Sequence, residues 1–182
     1  ATTTTGKVKA HRDRSQSVLD SLVRTILSQN TTDRTSARAF ASLKEALPTW
    51  EAVLAAPNEE VEDAIREGGL AEIKTARIKA ILERVRSERL AAREAILSAT
   101  SSSAVKSEEV KGGEGEEEGL ISLEHLRLLP TDEVKRYLTS FKGVGPKTVS
   151  CVLMFTLGRA EFPVDTHVWH IAKKLRWVPP AA

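Results

Sequence analysis

The sequence predicts an all-α protein. Three observations carry that prediction. Apolar residues recur with a period near 3.6 in almost every stretch able to form a core, no stretch alternates apolar and polar residues as a half-buried strand would, and capping residues or prolines punctuate the periodic segments. In order along the chain, Val18, Leu19, Leu22, Val23, Ile26 and Leu27 fall on one helical face, with Ser17 placed to cap it. Thr32 to Leu47 reads as a second helix that Pro48 stops. Thr49 and Asn58 are expected to cap two short helices, WEAVLAA and EEVEDAIRE, the second closed by Gly68-Gly69. A longer amphipathic helix then runs to about Ala95, with Ile73, Ile78, Ile81, Leu82 and Val85 facing inward. Residues 98–119, rich in Ser, Gly and Glu, bury almost nothing and read as a disordered loop. Order returns with SLEHLRLL, Thr131 opens DEVKRYLTSF, Pro146 opens the next helix, and a last helix starts near Asp165.

A chain of 182 residues suffices for one domain with a real core, or for one domain and part of another. It starts at Ala1 and stops at Ala182 just after WVPP, which fits a fragment of a longer protein. The formal charge of +2 hides a division: 104–119 sets six glutamates against Lys106 and Lys111, net −4, so the remainder carries +6. A basic body fits a polyanion-binding surface, and an ordinary solvated surface explains the same charge. The one cysteine, Cys151, excludes an internal disulfide or a cysteine-based metal cluster within this chain and fits a reducing compartment. The longest apolar stretch falls far short of the roughly 20 residues that span a bilayer, so the expectation is a soluble intracellular protein with no membrane partner.

The stretch FKGVGPKTVSCVLMF, 141–155, carries the most chemistry. Helix 132–141, the turn KGVG and the helix from Pro146 make a helix-hairpin-helix. Gly143 and Gly145 permit backbone angles and close approaches that a Cβ resists, and Pro146 suits a first helical position. The free amides of Lys142, Gly143, Val144 and Gly145 and of the helix start therefore form an anion site that suits a nucleic-acid phosphate. GVGPKT is not a nucleotide-binding P-loop, because that motif needs glycine where Pro146 and Phe141 stand. Lys147 and Thr148 suit phosphate binding alone. What adds to that reading is Asp165 in FPVDTHVWHIAKKL, 18 residues after Lys147: an apolar helix and a turn at Gly158 allow the chain to fold back and return the carboxylate to the lysine. Asp165 also suits the N-cap of the last helix.

FKGVGPKT followed by PVDTH, with ILSQNTTD at 26–33 and GGLAEIKTARIKAI at 68–81, resembles the helix-hairpin-helix-GPD DNA glycosylases, the endonuclease III superfamily, over most of the chain. FPVDTHV and LRWVPP are also similar to plant DEMETER-like demethylases and their short plant relatives. The resemblance implies an endonuclease III-like helical bundle. Residues 1–16 would be an N-terminal extension, 17–97 the helical-barrel part, 98–119 the acidic insert, and 120–182 the hairpin and catalytic Asp segment, with the second, iron–sulfur-side domain incomplete. It implies double-stranded DNA carrying a damaged or modified base as partner, action as a monomer and a nuclear or organellar location. The target nucleotide would be flipped out of the duplex. Asn30, with Gln29 as the adjacent alternative, would fill the gap, and Leu70 would either wedge between bases or pack in the core. Lys147, deprotonated, would attack the sugar C1′ to give a Schiff base competent for β-elimination, and Asp165 would stabilise the developing positive charge. His167, inside the matched motif, would approach the DNA. The family's [4Fe–4S] cluster is implied for a longer form of the protein only, and no cofactor or metal is expected within these 182 residues. Cys151, His125, His170 and Trp177 are expected to be packing or surface residues.

The readings that follow are a bifunctional glycosylase/AP lyase for oxidised pyrimidines, the same chemistry directed at 5-methylcytosine, and a non-catalytic hairpin module that binds DNA backbone.

Overall fold

The computed structural model describes residues 17–101 and 121–178. Among them there are eight α-helices and no strand: α1 Val18–Leu27, α2 Asp33–Ala46, α3 Trp50–Ala55, α4 Asn58–Ile65, α5 Ala71–Ser101, α6 Thr131–Thr139, α7 Pro146–Cys151 and α8 Thr166–Lys174. Short 3-10 turns lie at Arg66–Gly68 and Glu124–Arg127, and α7 runs directly into a π turn at Val152–Thr156.

The central element is α1, because its sequence is apolar on more than one face. Its six predicted apolar residues are all fully buried, packed against α2, α5, α7 and the π turn. Each such side chain contributes about 1.5–3 kcal/mol on burial. Ser17 caps α1 as predicted, accepting the Asp20 amide. The Glu124 carboxylate accepts the Val18 amide at 2.7 Å from 106 residues away, so the helix start is fastened to the second half of the chain. Thr49 caps α3 as expected, and Thr32, read from the sequence as the first residue of the second helix, is instead its N-cap.

Four other predictions need correction. Asn58 is the first residue of α4 rather than its cap; Pro57 holds the cap position and no side chain bonds there. α4 stops at Ile65 and the 3-10 turn carries the chain on to Gly69, whose φ of 69° closes it. The long helix α5 continues to Ser101, so 98–101 belong to a helix and not to a loop. On α5, Ile78, Ile81, Leu82 and Val85 are buried, but Ile73 is half exposed and Lys74 takes the interior place beside it. The predicted N-terminal extension, 1–16, and the acidic insert from 102 onward lie outside the described residues. No helix among the described residues is long and apolar enough to cross a membrane.

Candidate active site and nucleic-acid interface

α6, the turn after it and α7 form the predicted hairpin. Its first helix is fastened to α5 by Arg84, whose guanidinium lies over the rings of Phe141 and Tyr137 and donates to the Ser140 carbonyl. The two glycines of the turn do different work. Gly143 has φ 85°, and a Cβ there would fall 2.7 Å from the Arg77 side chain. Gly145 has φ −96°, is the N-cap of α7 and has open space where a Cβ would be. The turn therefore does not need a left-handed backbone at Gly145, and the space beside its Cα is open. Val144 is buried in the core and its amide donates to the Phe141 carbonyl, so its side chain and N–H build the turn. Lys142 is exposed on the turn. The first α7 bond runs from the Val149 amide to the Gly145 carbonyl, leaving the Lys147 and Thr148 amides ahead of it at the helix start.

The chain folds back as the sequence requires. After the π turn, Gly158 takes φ 63°, and Arg159 donates to the carbonyls of Leu126 and Leu129 and to the Thr131 hydroxyl, which anchors the bend. Glu161 pairs with Lys135 and accepts from the Ser150 hydroxyl, holding the returning segment against the hairpin. Asp165 then caps α8 with Oδ1, accepting the Val168 amide at 2.9 Å, while Oδ2 lies 3.4 Å from Lys147 Nζ. The Val168 amide first, and Lys147 after it, hold the Asp165 carboxyl below the usual aspartate range.

Lys147 and Asp165 line a cleft of about 580 Å³ with Gln29, Asn30, Thr148 and His167 on its walls. Lys147 also lines a second cleft of about 390 Å³, walled by Arg24, Ser28, Asp33, Cys151 and Phe155 among others. Ten of the eleven sequence-predicted site residues, all but Leu70, thus line the first cleft or form the turn beside it.

Gln29 and Asn30 differ in their surroundings. Gln29 accepts from Arg77 Nη1 at 2.8 Å and donates to the Gly143 carbonyl at 3.2 Å, with Thr148 Oγ1 a longer neighbour at 3.5 Å. It ties the end of α1 to the hairpin. Asn30 is exposed, with φ 56°. Leu70 is half exposed, with φ 52°, so core packing does not account for it. Thr148 is buried, its hydroxyl facing Gln29 and not solvent. Sequence reading missed Arg77 and Lys74: both stand in a helix among other basic residues, and nothing local marks them as bonded across the fold.

With one cysteine in the chain, these 182 residues do not themselves provide the four thiolates a [4Fe–4S] cluster takes, and no group of metal-ligating side chains occurs among the described residues.

The model of the HhH-GPD superfamily of base excision DNA repair proteins matches residues 23–182. The chain belongs to that superfamily. Among HhH-GPD relatives, an Arabidopsis thaliana protein assigned by name to the DNA glycosylases is 49% identical over 167 residues, covering 92% of this chain and 47% of its own length. The DNA glycosylase/AP lyase ROS1 of the same plant is 35% identical over 130 residues, covering 71% of this chain and 7% of ROS1. The chain spans less than half the length of either. An endonuclease III solved in a non-covalent complex with DNA superposes with a TM-score of 0.57 at 24% identity, over 90% of this chain and 59% of that one, and shows the shared all-α fold.

Proposed function

We propose that the protein is a DNA N-glycosylase with associated AP lyase activity that removes an oxidised pyrimidine from duplex DNA through a Schiff base on Lys147. One observation carries this reading: two residues 18 apart in sequence meet at 3.4 Å on the wall of an open cleft, one an amine and the other a carboxylate. Lys147, having given up one Nζ proton to solvent, attacks C1′ with its lone pair as the C1′–N bond breaks and the base departs with the electron pair of that bond. Asp165, ionised, stabilises the positive charge that develops on the sugar. Loss of the Nζ proton and opening of the sugar ring give the Schiff base; removal of a C2′ proton then expels the 3′ phosphate. Lys147 lines both clefts, which supports placing the sugar beside Asp165 and the extruded base in the cleft walled by Arg24, Ser28, Asp33 and Phe155. Asn30 and Leu70, both exposed at left-handed backbone positions, enter the duplex where the nucleotide has left. Lys142, Gly143 and Gly145 grip the phosphate backbone, giving register without sequence choice, and His167 lies along the same cleft. A single chain carries every group named, so a monomer suffices, and its work lies with nuclear or organellar DNA.

A second reading keeps the chemistry and changes the base to 5-methylcytosine, as the resemblance of FPVDTHV and LRWVPP to plant DEMETER-like demethylases implies. Single-turnover assays on duplexes with thymine glycol or 5-methylcytosine separate the two. In either case Lys147→Gln abolishes strand cleavage, and Asp165→Asn slows base release by about 10²–10³-fold. Salt-sensitive DNA binding with no base released from either duplex would leave the non-catalytic hairpin module instead.

A further inference from the structure

The least expected side chain in the interior is Lys74. It is 1% exposed in the first turns of α5, where the apolar pattern calls for an isoleucine. Its Nζ donates to the Leu27 carbonyl at 2.7 Å and to the Gly68 carbonyl at 2.8 Å, and no carboxylate is among its bonded partners in the described residues. A buried ammonium is costly to desolvate, and an apolar side chain of similar volume would fill the space without that cost. What the ammonium adds is therefore geometric.

Both carbonyls lie at the C-terminal ends of helical segments, α1 and the 3-10 turn, where the aligned peptide dipoles favour a cation. Each segment leads at once into an exposed residue in the left-handed region: Asn30 three residues after Leu27, and Leu70 two residues after Gly68. Such conformations persist only where the surroundings hold them. One nitrogen bonded to both carbonyls keeps them no farther apart than its two hydrogen bonds reach. Gly68 completes the joint, since a Cβ there would meet the Ala39 Cβ at 3.1 Å.

We infer that Lys74 is a positioning residue, clamping the Leu27 and Gly68 carbonyls so that the Asn30 and Leu70 loops enter DNA at a fixed separation. The inference rests on the DNA-inserting roles given to those two residues above. The test is a double-mutant cycle of Lys74→Met and Leu70→Ala. Its substrate is a duplex with one tetrahydrofuran abasic site beside 2-aminopurine, whose fluorescence rises when inserted side chains unstack it. At saturating protein, Lys74→Met is expected to keep its native circular dichroism and salt-dependent duplex affinity, which the hairpin supplies. It is expected to lose most of the fluorescence rise and to cleave a natural abasic site about ten- to a hundredfold more slowly. Leu70→Ala should then cost little more in the Lys74→Met background. Additive losses, or a full fluorescence rise in Lys74→Met, would overturn the assignment. So would failure of both Lys74→Met and Lys74→Gln to fold, which would make the residue purely structural. Loss of nothing in Leu70→Ala alone would instead remove the insertion reading on which the inference stands.

Discussion

Asp165 divides its oxygens between a structural partner, the Val168 amide, and a chemical one, Lys147. The two uses separate by substitution. Asn is as good an N-cap as Asp, so Asp165→Asn should melt within a degree or two of the parent while base release collapses; Asp165→Ala should lose the cap as well and melt lower. Calorimetry beside single-turnover rates reads both. A carboxyl with a depressed pKa contributes stability that is present above its ordinary value, 3.8, and is lost as pH falls through the folded value. The α8 cap should therefore hold through neutral pH and loosen only in acid below that value. Fluorescence of Trp169 and Trp177 should show a step there that Asp165→Asn lacks. Cys151 gives a second pH expectation. Burial pushes its thiol up in spite of nearby Lys147, so alkylation at neutral pH should run more slowly than for a free cysteine.

At the scale of elements the hairpin makes its own predictions, because its glycines differ. Gly143→Ala places a Cβ against Arg77 at a left-handed φ and should cost stability, by about 1 kcal/mol or more, along with DNA affinity. Gly145→Ala meets no protein atom and should leave the melting temperature almost unchanged while weakening DNA binding, since only an approaching phosphate would meet its Cβ. Thermal melts with gel-shift affinities on the two variants decide the matter. The hairpin was legible in the sequence because Gly143, Gly145 and Pro146 each answer a local requirement: a left-handed turn, open room, a first helical position. The return of Asp165 to Lys147 was legible for a similar reason, since one helix, a glycine bend and 18 residues leave the chain few other routes. Gln29 was not legible as a brace. Its partners Arg77 and Gly143 lie 48 and 114 residues away, and a polar residue beside Asn30 shows no local sign of which one turns inward. The exchange of Ile73 and Lys74 has the same origin, because periodicity places apolar residues inside but cannot foresee two carbonyls that need a buried donor.

Over the whole molecule the all-α class and most helix starts followed from period and caps, which are local. The arrangement did not: α1 became the hub through distant ties such as Glu124 to its first turn and Lys74 to its last. The wider surface gives a salt-dependence prediction. Lys142→Ala should weaken binding to any duplex about equally and lower the slope of log affinity against log salt by about 1. The central claim is that Lys147, and no other amine, forms the covalent bond to the sugar. Its most direct test traps the protein with borohydride on a duplex carrying an abasic site, digests the adduct and maps the modified peptide. The account predicts a single adduct on Lys147, absent in Lys147→Gln. An adduct on another lysine or on the N-terminal amine, or saturating DNA binding with no adduct formed, would contradict it.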